Sequence, residues 1–295
     1  MWALIDWGTS GFRLWSVSDG LLSLEHSSEN GVGRIQLKER QLAFLRERVE
    51  ELVEAPEYIF AYGMVGSSLG PFPSGFIETP ASWPKILAKS KLFELKIPGG
   101  KSVPIFVSPG VKSSDSPPNV MRGEELQTLA LGISDAVILC PGTHSKHVTL
   151  SSKEIVGFRT FMTGELFQTI RNMPSLMPFF SIATKTHEPE WFNVGLELVG
   201  TAFSEALFAI RRWGLNLEGF EGADEVLSGL LIGLELEQLA SDTSGRKLLL
   251  LADGSMAERY RAALQWNGIS FDEVSGSIAT EQIAIRVNEW RKPHE

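Results

Sequence analysis

A lone cysteine, Cys140, stands in 295 residues, so no disulfide can form within the chain. No uninterrupted apolar stretch approaches the ~20 residues a helix needs to span a bilayer, the longest candidates being broken by Gly, Glu or Arg. The first residues also lack a basic segment followed by an apolar run and a small-residue cleavage site. These absences point to a cytoplasmic protein outside the membrane. Basic residues are in deficit, 27 Lys and Arg against 36 Asp and Glu, for a net charge of -9. A general nucleic-acid binder is thereby excluded, because phosphate contacts need clustered Lys and Arg, although a local basic cleft for an anion is not. Low-complexity tracts and long flexible linkers are lacking too. What the chain does have is 43% hydrophobic residues, enough to bury a full core, and a length that suits one large or two medium domains.

Strand and helix patterns alternate, which places the chain in the α/β class. Opening strands lead to an amphipathic helix over Leu37 to Glu54, with Leu42, Leu45, Val49, Leu52 and Val53 on one face. A short strand over Tyr58 to Tyr62 precedes the glycine loop Gly63 to Gly70. The prolines Pro71, Pro73, Pro80 and Pro84 then read as an irregular, lid-like loop, since each removes a donor and restricts its predecessor. A strand over Val103 to Val107, a helix from about Met121 to Leu131 and a strand over Ala136 to Leu139 complete the first half. Strands follow around Val148 to Leu150 and Ile155 to Phe161, then long helical patterns over Phe192 to Trp213 and Asp224 to Leu239. A strand over Lys247 to Leu251 runs through Ala252-Asp-Gly-Ser255 into a helix over Met256 to Gln265, and Thr280 to Trp290 reads as a last helix.

The opening stretch ALIDWGTSGFRLW is echoed once, as AVILCPGTHSKHVTL from Ala136 to Leu150. Shifting by 134 positions lays Leu4 and Ile5 on Ile138 and Leu139, Gly8 on Gly142 and Thr9 on Thr143. Two halves beginning with the same hairpin imply duplicated domains, 1–134 and 135–295, with the last helix packing back on the first. A tight turn of Gly followed by Thr or Ser presents backbone N–H groups and hydroxyls at one point, a concave site for phosphate oxygens. The plainer reading of either turn alone is an ordinary hairpin with Gly where positive φ is needed. Asp6, just before the first turn, is placed to hold Mg2+ through water, since this ion takes only one or two carboxylates.

The hairpin pair resembles the two phosphate loops of the actin, Hsp70 and sugar-kinase superfamily. More narrowly, DWGTSGFRLW, GMVGSSLGP, VMRGEELQTLALG, PGTHSKHV, TFMTGELF, LSGLLIGLEL and ADGSMAERYRAAL together resemble the 2-dehydro-3-deoxygalactonokinase family, in order from Asp6 to Leu264. The resemblance implies two similar ribonuclease H-like, actin-like ATPase domains with a cleft between them. It implies transfer of the γ-phosphoryl group of ATP to the 6-hydroxyl of 2-dehydro-3-deoxy-D-galactonate, with Mg2+.

On this reading Gly8, Thr9 and Ser10 with Gly142, Thr143 and His144 form the phosphate cradles, Lys146 adds positive charge and Asp6 organises the metal. The base is Glu124 or Glu125. The two point about 100° apart on a helix, and Glu124, directly after Gly123, is favoured. Sugar kinases more usually carry Asp here, and Glu at a helix N-terminus is also simply favourable there. The acid end of the substrate calls for Arg13, Arg34 or Arg122, since a guanidinium matches a carboxylate with two parallel donors. Arg13 on an edge strand could equally face solvent. Gly63 and Gly66 close over the sugar, and Thr163 and Glu165 hydrogen-bond its hydroxyls, although TGE is also a helix start. Asp253 and Gly254 serve the adenosine, with Asp253 and Ser255 as helix caps. Gly229 and Gly233, four apart, read as a helix-packing face or a contact with nucleotide. Cys140, His144 and His147 do not suffice for a zinc site, which needs four ligands, and Cys140 reads as inert core. Alternatives kept open are a kinase of the same fold for another sugar or sugar acid, a non-catalytic sugar or nucleotide sensor, and a monomer or a homodimer.

Overall fold

A computed structural model describes residues 1–97, 100–180, 189–216, 221–239 and 245–291. The chain divides into two units, one of Met1–Ser134, Leu150–Phe158 and Ser277–Glu295, the other of Asp135–Thr149 and Arg159–Gly276. The expected boundary after residue 134 coincides with one boundary of this division, and Glu154 and Ile155 pair antiparallel with Ser82 and Ala81 inside the first unit.

The first unit is built on β1 (Trp2–Trp7), β2 (Phe12–Ser18), β3 (Leu21–Ser28), α1 (Lys38–Glu50) and β4 (Ile59–Gly63). There follow β5 (Phe76–Glu78), β6 (Ala81–Ser82), α2 (Trp83–Ala88), β7 (Lys91–Lys96), β8 (Ser102–Val107), β9 (Gly110–Lys112), β10 (Val120–Met121) and α3 (Glu124–Ala130). Its main sheet has the order β3-β2-β1-β4-β8-β7, with β1 parallel to β4 and β4 parallel to β8. Strand β1 is buried on both faces, which is why it reads as a continuous apolar run rather than an alternation. On one face Leu45 and Val49 of α1 pack on Ile5, Phe12, Ile59 and Ile105, all at most 2% exposed. Each such burial contributes roughly 1.5–3 kcal/mol before conformational entropy is subtracted. On the other, Trp290 sets its ring edge-on to Phe60 and Phe106.

The proline-rich segment is not the irregular loop that its composition suggests. It holds β5, β6 and α2, and Pro84 lies in the first turn of α2, where its missing N–H is one that no helical bond would use.

The second unit carries β11 (Ala136–Cys140), β12 (Ser145–Ser151), the end of β13 (Glu154–Phe161), α4 (Thr163–Arg171), α5 (Pro189–Glu197) and α6 (Phe203–Asn216). It continues with α7 (Ala223–Leu236), β14 (Leu248–Leu251), α8 (Gly254–Trp266) and β15 (Asp272–Val274), and the first unit takes the last helix, α9 (Gly276–Arg291), from Ser277 on. Strands run β15-β14-β11-β12-β13, with β11 parallel to β14 and β14 parallel to β15. This repeats the order β8-β4-β1-β2-β3 of the first sheet, strand for strand. The single long helix expected over Phe192 to Trp213 is two, broken beside Gly200, whose φ of +93° a helix cannot hold. Gly229 packs on Phe192 carbonyl and Gly233 on Val199, so that face is helix packing and not a nucleotide contact. Among the described residues no helix is long and apolar enough to cross a membrane.

Candidate active site

In the first unit β1 and β2 are joined by Gly8-Thr9-Ser10-Gly11, closed by Gly8 N–H donating to Gly11 carbonyl at 2.9 Å. The segment Gly31 to Arg34 braces this turn from behind. Val32 N–H donates to Gly8 carbonyl at 3.0 Å and Gly33 N–H to Thr9 carbonyl at 2.9 Å. Gly31 lies so close that an added Cβ would collide with Thr9 carbonyl oxygen. The carbonyls are therefore tied down, while the N–H groups of Thr9 and Ser10 donate to no acceptor among the described residues. A turn with that polarity binds anions. The glycines around Arg34 thus serve the turn; the Arg34 side chain itself is exposed and paired with Glu29 at 2.7 Å.

Asp6 faces Arg13 across the β1–β2 ladder, Oδ2 to Nη1 at 3.4 Å. Burial pushes its carboxyl up to about 6, Arg13 pulling it down and Glu124 pushing it further up. Gly63 ends β4 beside Trp7 with φ +86°, and a Cβ there would sit 2.8 Å from Trp7 carbonyl oxygen and 3.4 Å from Asp6 Oδ1. Gly123, with φ +119°, packs in turn on Gly63, an added Cβ lying 3.6 Å from its Cα. Two glycines in contact thus bring the head of α3 to the ends of β1 and β4.

The neighbouring glutamates at that head have opposite surroundings. Glu125 is fully buried, with Oε2 accepting from Gly123 N–H at 2.6 Å and Oε1 without a partner among the described residues. Burial first, and Glu124 second, push it up to about 8, so it is mainly the neutral acid at pH 7. Glu124 is half-buried and its Oε2 accepts from Arg122 N–H at 3.2 Å. Beneath them the fully buried Tyr62 phenol is held well above its ordinary range by burial and by Asp6.

In the second unit the corresponding turn, Pro141 to His144, joins β11 to β12 and is braced in the same way. Glu165 N–H donates to Thr143 carbonyl at 3.0 Å, and a Cβ on Gly164 would collide with Gly142 carbonyl oxygen. The N–H groups of Gly142, Thr143 and His144 donate to no acceptor among the described residues. Thr163 and Glu165, expected at sugar hydroxyls, stand at this turn. Glu165 carboxylate pairs with His144, and Thr163 hydroxyl donates to Glu235.

Glu235, 3% exposed, is a hub; it lies in LSGLLIGLEL, where the glycines stand out in the sequence and this acid does not. It also accepts from Tyr260 hydroxyl at 2.7 Å and lies 3.0 Å from His147 Nε2, while Tyr260 lies 3.0 Å from Ser145 Oγ. Lys146 is buried and donates to His144 carbonyl at 2.8 Å. His144 and His147 thus meet different acids, and among the described residues no three His, Cys, Asp or Glu side chains are grouped to hold a metal.

A cavity of about 240 Å3 opens beside Gly142, lined by Phe167, Leu231, Ile232, Met256 and Tyr260 among others. The arginines on its wall are neutralised, Arg171 by Asp224 at 2.7 Å and Arg259 by Glu225. The sequence pattern did not point to this cavity, whose lining residues come from four separate segments. Of the expected adenosine turn, Ser255 lines it. Asp253 caps nothing: both its oxygens accept from Gly276 N–H, at 3.1 and 3.0 Å, and fasten the start of α9, while Gly254 takes φ +58°.

The chain is thus an α/β protein with one donor-lined turn in each of two like-ordered sheets and acids clustered next to the first. A sequence profile of the family described as 2-keto-3-deoxy-galactonokinase matches residues 6–286. A 2-dehydro-3-deoxygalactonokinase of Rhizobium meliloti (strain 1021) is 34% identical over 94% of this chain and 93% of its own. That of Escherichia coli (strain K12) is 32% identical, over 93% of each. The crystal structure of a protein described as the same kinase, from Sinorhizobium meliloti, superimposes with a TM-score of 0.82 at 29% identity, covering 99% of this chain and 100% of that one. The chain belongs to the 2-keto-3-deoxy-galactonokinase family.

The buried acid makes a test of stability possible. A carboxyl whose folded pKa is raised costs nothing below its unfolded value of 4.5 and costs progressively more as pH rises toward about 8. Urea unfolding at pH 5 and pH 8.5 should show the wild type losing on the order of a few kcal/mol more than Glu125→Gln, which cannot ionise. Parallel losses in the two proteins would contradict the burial of this carboxyl.

Proposed function

We propose that this chain is an ATP-dependent kinase that transfers the γ-phosphoryl group to the 6-hydroxyl of 2-dehydro-3-deoxy-D-galactonate. On this proposal its units are ribonuclease H-like, actin-like ATPase domains, and the reaction takes place in a cleft between them, in the cytoplasm where ATP is available. The observation that carries it is the pair of alike turns, each with its carbonyls bound and its N–H groups left for an anion. The names of the relatives supply the substrate.

In this reading the cavity beside Gly142 takes the adenosine, its apolar lining suiting a purine and its paired arginines adding no charge. The N–H groups of Gly142, Thr143 and His144, with those of Thr9 and Ser10, take phosphate oxygens. Asp6 fits Mg2+: its carboxylate is 16% exposed, among the described residues its side chain bonds to Arg13, and such an ion asks for no more than one or two carboxylates. When bound, the ion supplies charge neutralisation at the phosphates.

Glu124 accepts the proton of the acceptor hydroxyl as its oxygen forms a bond to the γ-phosphorus and the bond from that phosphorus to the bridging oxygen breaks, releasing ADP. Glu125 is unsuited, since an acid already protonated and sealed from solvent has no capacity to take another proton. Its role is to support the head of α3.

A coupled ADP assay with ATP and Mg2+ tests this. Release should require a 2-keto-3-deoxy sugar acid, with neutral hexoses inert, and folded protein that binds ATP yet turns over no such acid would refute the kinase. Glu124→Gln should lower kcat by about 10²- to 10⁴-fold, far more than Glu125→Gln. Gly164→Ala, which forces the second turn to move, should raise KM for ATP by about tenfold or more, because overpacking of this kind costs roughly 1–3 kcal/mol. An unchanged KM would show that the turn takes no phosphate.

A further inference from the structure

The three candidate arginines of the first unit differ in one respect. Arg13 pairs with Asp6 and Arg34 with Glu29, whereas Arg122 pairs with no carboxylate among the described residues. Its guanidinium is nevertheless fixed. Nη1 donates to Ser74 Oγ at 2.9 Å, Nη2 donates to Gly75 carbonyl at 2.7 Å, and the Phe76 ring stacks beneath it at 4.5 Å. Ser74 hydroxyl is itself anchored to Ser108 carbonyl at 2.7 Å. Gly66 leaves the room: a Cβ there would lie 2.7 Å from Arg122 Nη1 and closer still to Ser74 Oγ.

A half-buried cation oriented by neutral groups alone is costly unless an anion arrives to meet it. Burial lowers the pKa of Arg122 from its ordinary value, opposed by Glu125, which burial itself pushes up to about 8. The guanidinium offers five N–H donors in a planar fork, of which two are engaged, and such a fork matches a carboxylate. Arg122 is also two residues before Glu124 and bonds to it through its backbone N–H, so an acid end held here lies on the same short segment as the base.

We propose that Arg122, set by Ser74, Gly75 and Phe76, binds the carboxylate of the acceptor sugar acid and makes the enzyme selective for acids over neutral sugars. This rests on the sugar-acid kinase reading above and adds to it the residue that recognises the acid.

The test compares Arg122→Met, Arg122→Lys, Arg13→Met and Arg34→Met on 2-dehydro-3-deoxy-D-galactonate and on its neutral amide, with thermal melts to confirm folding. Arg122→Met should raise KM for the acid by roughly 10- to 100-fold, the worth of a charge-assisted pair, while KM for ATP stays within twofold. Arg122→Lys, which keeps the charge and loses the fork, should fall between, and is read alone if the Met variant does not fold. The wild type should discriminate against the amide by a similar factor, and Arg122→Met should not discriminate. Retained preference for the acid in folded Arg122 variants, a rise in KM for ATP instead, or loss of the preference in the Arg13 or Arg34 variant would overturn the assignment. Absence of turnover by the wild type would instead overturn the kinase reading, and this assignment with it.

Discussion

Two threonine carbonyl groups, those of Thr9 and Thr143, fix the two turns. Each accepts a backbone N–H from a bracing segment, and each brace brings a glycine where a side chain would strike the turn. A turn free to rotate its peptides would present carbonyls and N–H groups alike and would attract no anion. Fixing the carbonyls outward costs the protein two unusual backbone approaches, at Gly31 and Gly164, and yields two small electropositive surfaces made from main chain alone. The braces come from unrelated local structure, a loop after β3 in one unit and the first turn of α4 in the other, so the similarity lies in what they do to the turn.

The first unit then gathers charge that a stable core would avoid. Asp6, Glu124, Glu125, Arg13 and Arg122 lie around the contact of Gly63 with Gly123, and Tyr62 lies below. The protein tolerates this by neutralising one acid through burial and pairing another with Arg13. Groups whose environments push neighbouring carboxyls apart are a mark of sites that move protons. In the second unit buried polar groups are instead mutually satisfied around Glu235, as suits a part that must hold its shape.

The paired hairpins, the α/β class and the helix after Gly123 were legible in the sequence because each carries a local signature: an apolar run ending in Gly-Thr, alternating elements, an acid pair after glycine. The amphipathic pattern of Leu45 and Val49 likewise became α1 on the core. What escaped was set by distance in the chain. Pro84 looked like a breaker until its place in the first turn of α2 was known. Nothing local to Thr163 and Glu165 says that their helix begins against a turn twenty residues earlier. Glu235 sits near the end of a largely apolar helix, where an acid gives no hint of the four side chains that converge on it or on its partner. The pairing of Glu154 and Ile155 with Ser82 and Ala81 is likewise one that no periodicity encodes.

A crystal structure with Mg2+ and a non-hydrolysable ATP analogue is the most direct measurement. On the proposed function, phosphate oxygens lie within hydrogen-bond reach of backbone N–H groups in both turns, those of Thr9 and Ser10 and those of Gly142 to His144, with the base in the cavity beside Gly142. A nucleotide touching one turn only, or neither, would contradict it.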